Sequence, residues 1–143
     1  MNKKITEAFT KGKAFIPFVT CGDPSLDVTE KIVYAMEEAG ADLIELGIPF
    51  SDPTAEGPVI QGANLRALSG GVTTDKVFDM VEKIRKNSSI PMVFMTYAYR
   101  ELLNSDKTIS QIAMDNGFSS SRAFTREFQK RYGILPSEVE REK

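Results

Sequence analysis

Two carboxylates bracket a Pro- and Gly-rich loop in "ELGIPFSDPTAEGP", residues 45 to 58: Glu45 at the end of an apolar run and Glu56 just before Gly57 and Pro58. A carboxylate inside an apolar strand is costly to desolvate unless it has a partner or a task. Glu45 therefore reads either as a strand-end glutamate held by backbone N–H groups or as an acid/base group. Glu56, in the loop, reads on spacing alone as a solvated side chain.

The chain has no histidine and a single cysteine, Cys21. Proton transfer must therefore rely on carboxylate, lysine or tyrosine, and no intrachain disulfide can form. The composition points to no metal and no cofactor.

Short apolar runs alternate with longer amphipathic ones from residue 14 to 98: "AFIPFVT", "SLDVTEKIVYAMEEAG", "ADLIELGIPF", "TTDKVFDMVEKIRKNSS" and "IPMVFMTYA". This predicts strand, helix, strand, helix, strand. The apolar runs do not alternate in polarity, which suits parallel strands covered by crossover helices. Thr73 or Thr74 can cap the second helix, Val77, Val81 and Ile84 share its buried face, and Gly40 can end the first. Loops after the carboxyl ends of such strands are where α/β folds place their chemistry, which suits the position of the Glu45 loop.

Beyond residue 98 the strand signals stop and short helices joined by turns are expected. Residues 1 to 98 hold 10 basic and 13 acidic residues, whereas 99 to 143 hold 8 and 7. With 41% apolar and 27% charged residues and a net charge of -2, the 143-residue chain reads as an ordinary folded protein. Its amino terminus, "MNKKITEAFTKGK", lacks a secretory apolar core, and no run reaches the length of a membrane span, so a cytoplasmic location and no membrane partner are expected.

"FIPFVTCGDPS", "AGADLIELGIPFSDPTAEGPVIQGANLRAL" and "PMVFMTYA" resemble the amino-terminal part of the tryptophan synthase α subunit over residues 1 to 98. The resemblance implies part of a (β/α)8 barrel that cleaves indole-3-glycerol phosphate to indole and glyceraldehyde 3-phosphate and passes indole to a β subunit. It further implies that Glu45 is the acid/base glutamate and that Glu56 stands where many members carry an aspartate handling the indole nitrogen proton. Phe18 and Tyr97 match positions beside the indole pocket. A full barrel needs eight strands and often a phosphate site after strands seven and eight. Three strands predict no useful lyase turnover and leave productive β-subunit pairing unexpected.

In "ISQIAMDNGFSSSRAFTREFQKRYGILPSE", Ile109, Ile112 and Ala113 share a face, Gly117 and Phe118 make a turn, Ser119 can cap, and Phe124, Phe128 and Tyr132 recur at helical spacing. The stretch 99 to 143 is similar to the second helix-turn-helix of AraC/XylS-type transcription regulators. That resemblance implies a groove-facing set, Ser121, Arg122, Thr125 and Arg126, with Lys130 and Arg131 toward phosphates. The expected fold class is α/β: a three-stranded parallel β/α partial-barrel fragment, 1 to 98, followed by an all-α helix-turn-helix segment, 99 to 143. The expected whole is an engineered or selected chimera without complete native activity, binding double-stranded DNA weakly and self-associating as a homo-oligomer to cover exposed barrel edges.

Overall fold

A computed structural model describes residues 3–10, 12–51 and 56–139. Its elements run in chain order as α1 (Lys3–Ala8), β1 (Phe18–Thr20), α2 (Leu26–Glu38), β2 (Ile44–Gly47), α3 (Pro58–Ser69), α4 (Thr74–Arg85), β3 (Met92–Met95), α5 (Ala98–Asn104), α6 (Ile109–Asp115), α7 (Ser121–Tyr132) and a 3-10 turn at Pro136–Glu138. Among the described residues the three strands form one parallel sheet in the order β1, β2, β3. Parallel neighbours need crossover connections, which α2 and the α3–α4 pair supply.

The helix ends follow local chemistry. Ser25 caps α2 by accepting from the Val28 N–H, and Gly40, at φ 88°, takes the left-handed conformation just beyond the helix end. Thr73 rather than Thr74 caps α4, accepting from the Lys76 N–H. Thr108 and Gln111 form a reciprocal capping box at α6. The expected cap at Ser119 is corrected: Ser120 caps α7 through the Ala123 N–H, while the Ser119 hydroxyl donates to Asp75 of α4.

The expected strand, helix, strand, helix, strand order holds but misses α1 and α3. "PVIQGANLRALS" carries its own signals: Pro58 at the first helical position after Gly57, and Gly70 and Gly71 at the end.

Two apolar clusters hold the chain. The first joins one sheet face to the helices through Val33, Ile44, Leu46, Val77 and Ile84, all fully buried. The second joins α5, α6 and α7 through Leu102, Ile112, Ala113, Phe124 and Phe128. An aromatic path links them: Phe94 of β3 meets Phe78 of α4 at 5.2 Å, Phe78 meets Phe118 at 6.4 Å, and Phe118 meets Phe124 at 5.1 Å. The helical segment thus packs on the β/α layer through rings that also fill its own core.

Candidate active site

Register places the chemistry. Phe18, Glu45 and Val93 share one rung of the ladder, and Thr20, Gly47 and Met95 share the next rung on the same face. The alternate residues Ile44, Leu46 and Ile48 are buried against the helices. Strand alternation therefore turns Phe18 and Glu45 to the opposite face, the one a closed barrel would hold inside.

Gly47 is required there by space. A Cβ at Gly47 would stand 2.6 Å from Cζ of Phe18, so the ring lies directly over the glycine backbone. Glu45 is half-buried, and its carboxylate forms no hydrogen bond or ion pair with another described residue. Of the two readings open to it, strand-end capping by backbone N–H groups has no support here. An unpaired carboxylate on an apolar face is free to give or take a ligand's proton.

The reading of Glu56 as simply solvated is corrected. Its Oε2 accepts from Asn64 Nδ2 at 2.8 Å, and its backbone carbonyl accepts from Gln61 Nε2 at 2.7 Å. Asn64 is 4% exposed, so the carboxylate is anchored to a buried amide on α3. Sequence reasoning missed Asn64 because it missed the helix that carries it. Residues 52–55 of the loop between the two glutamates lie outside the described residues.

Tyr97 stacks on Phe50, with centroids 4.9 Å apart and planes at 21°, and the Lys107 ammonium stands 5.9 Å from the Phe50 centroid. Lys107 also donates to Glu101 at 2.5 Å and Asp115 at 2.7 Å, and these two carboxylates, Asp115 foremost, hold its ammonium well above the ordinary lysine range. Beside β1, Arg66 donates twice to Asp23, each at 2.8 Å, and that pairing holds the Asp23 carboxyl below its usual range. Among the described residues no group of three or more His, Cys, Asp or Glu side chains could hold a metal ion.

On α7, Ser121, Arg122, Thr125 and Arg126 line an open concavity of about 510 Å3 together with Ile109 and Ser110 of α6. Lys130 and Arg131 are exposed farther along the helix and outside it. Arg126 is paired with Glu127 at 3.0 Å.

The profile of the family described as "Tryptophan synthase alpha chain" matches residues 6–120. The chain belongs to the tryptophan synthase alpha chain family. The alpha chain of Lacticaseibacillus casei is 52% identical over 94 residues, an overlap of 66% of this chain and 35% of the relative. A Legionella pneumophila str. Paris alpha subunit superposes with a TM-score of 0.62 at 32% identity, covering 90% of this chain and 53% of that one. A chain of the tryptophan synthase a2b2 complex from the hyperthermophile Pyrococcus furiosus gives a TM-score of 0.56 at 32% identity, covering 73% and 53%. This chain thus spans about a third of that curated relative and about half of the solved chains it matches.

These findings correct the expected partners. Double-stranded DNA and self-association, with β-subunit pairing set aside, do not fit a family whose solved members include an a2b2 assembly. The family match also runs to residue 120, through α5 and α6, beyond the residue 98 at which the expected resemblance ends. No helix among the described residues is long and apolar enough to cross a membrane.

Proposed function

We propose that the chain carries the acid/base and ring-binding part of an α-subunit site for indole-3-glycerol phosphate, with Glu45 as the proton-transfer group. The observation that carries this reading is Glu45 itself: half-buried, unpaired among the described residues, and on one rung with Phe18. In this reading Phe18 and Tyr97 are the ring-binding residues and Glu56, whose carboxylate Asn64 holds, serves the ring nitrogen proton. The partner class that goes with this reading is a tryptophan synthase β subunit.

Titrating indole into the ¹⁵N-labelled chain tests the reading. Amide shifts concentrated at Phe18, Glu45, Val93 and Tyr97, weakened in Phe18→Ala, are expected. Shifts spread evenly over the surface, or none at millimolar indole, would sink it. For the partner, sedimentation of the chain mixed with a tryptophan synthase β subunit should show a complex; unchanged separate boundaries would remove that part.

We also infer that residues 99–143 form a helix-turn-helix segment appended to a 1–98 (β/α) fragment in a chimera. The capping box of α6, Gly117 at φ 73° and the outward arginines of α7 favour it. Its task in this chain is cover: the turn before α7 closes over the start of α4. Hydrogen exchange in rising denaturant tests that task. A shared opening midpoint for α4 and α7 amides supports it, and α7 opening with no effect on α4 speaks against it.

A further inference from the structure

We propose that Thr20 is a ligand-binding residue of the Glu45 face, its hydroxyl forming a hydrogen bond with the hydroxylated tail of an indole-class ligand whose ring rests against Phe18. This rests on the reading of the Glu45 face given above and names a further group in that site.

Thr20 Oγ1 is the one buried side-chain polar atom among the described residues that has no hydrogen-bond partner, and the residue is only 5% exposed. Buried hydroxyls are normally paired, because leaving one unmade forfeits its solvation. The protein pairs its other buried threonines: Thr29 Oγ1 donates to the Ser25 carbonyl and accepts from the Gly22 N–H, and Thr74 Oγ1 donates to the Asn116 carbonyl. Thr20 is the exception, and its position gives the exception a use.

Val19 and Cys21, on either side of Thr20, pack into the core beneath the sheet. Strand alternation therefore turns Thr20 to the face that carries Phe18 and Glu45. Its rung partner is Gly47, which has no side chain to receive the hydroxyl. Thr20 stands two residues beyond Phe18, about 6.6 Å toward the carboxyl end of the sheet. A ring held at the level of Phe18 and Glu45 with its 3-substituent directed to the carboxyl end of the sheet brings that substituent past Thr20. A hydroxyl on that substituent can give or take the hydrogen bond that the protein leaves unmade.

Two probes of nearly equal shape, indole-3-propanol and 3-propylindole, test the assignment by titration against the intact chain and its Thr20→Ser, Thr20→Val and Thr20→Ala variants. The expected result is a preference of about tenfold for the alcohol in the parent and Thr20→Ser, lost in Thr20→Val and Thr20→Ala. The Tm of Thr20→Val should match or exceed that of the parent, because an unpaired hydroxyl is removed. Retention of the preference in Thr20→Val and Thr20→Ala would overturn the proposal, as would equal loss of both probes with a lowered Tm, which marks a packing role. If the parent binds both probes equally, the Thr20 assignment falls and the Glu45 reading stands; if it binds neither, both fall.

Discussion

The Thr74 hydroxyl donates to the backbone carbonyl of Asn116 at 2.5 Å, and the Thr74 N–H donates to the Gly117 carbonyl at 2.7 Å. The first N–H of α4, which has no partner within its own helix, is thus satisfied by the turn between α6 and α7. Asn116 is held in turn: its Nδ2 donates to Glu101 at 2.6 Å and to the Ile112 carbonyl at 2.9 Å, and its Oδ1 accepts from the Thr96 hydroxyl at 3.1 Å. Thr74→Val keeps the shape and orphans a buried carbonyl, so a loss of about 1–3 kcal/mol is expected. Gly117→Ala adds strain at φ 73° and sets a Cβ 3.2 Å from Thr74 Oγ1, costing about 1–2 kcal/mol more than a neutral surface change. Urea denaturation of both variants checks this, and parent-like midpoints would show that the contact contributes little.

The β/α half was legible because its signals are local and agree. Apolar runs marked β1, β2 and β3, while Thr73 or Thr74 marked the start of α4 and Gly40 the end of α2. The Thr74–Asn116 contact was not legible, because it joins residues 42 apart and depends on how α6 turns at Gly117. The anchoring of Glu56 was hidden for a related reason: Asn64 matters only once α3 exists to aim it. The face shared by Glu45 and Phe18 was not legible either, because the apolar runs do not alternate in polarity and only the strand register pairs the two residues.

Gly47 predicts a separable effect on the site. Gly47→Ala sets a methyl 2.6 Å from Phe18 Cζ and 2.9 Å from Cε2, so the ring must move or the strand must shift. Overpacking of this kind costs about 1–3 kcal/mol, and the displaced ring should no longer meet an indole. Loss of the indole-induced shifts with the sheet amides still dispersed is expected. Unchanged indole shifts at Phe18 would mean that the ring position does not matter.

Asn64 predicts a positioning effect. Asn64→Ala removes the amide that holds Glu56 Oε2 and leaves α3 otherwise intact, since alanine is a strong helix former. Fold stability should fall by about 1 kcal/mol. Asn64→Ala and Glu56→Gln should then weaken indole binding by similar factors, and the double variant should be no worse than either single one. Additive losses in that cycle would show that the two side chains act independently.

Cys21 gives the pH prediction. It is fully buried, and burial pushes its thiol from 9.0 up to about 12. The folded state therefore holds the thiol proton that the unfolded chain releases near pH 9. Its contribution to stability is full below that pH and is lost as pH climbs toward 12. Because the thiolate is the nucleophile, a disulfide reagent at pH 8 should modify the folded chain only as fast as it opens, with rates that rise with urea. Immediate stoichiometric labelling in buffer would place Cys21 at an accessible surface and contradict its packing beside Ile44 and Leu46.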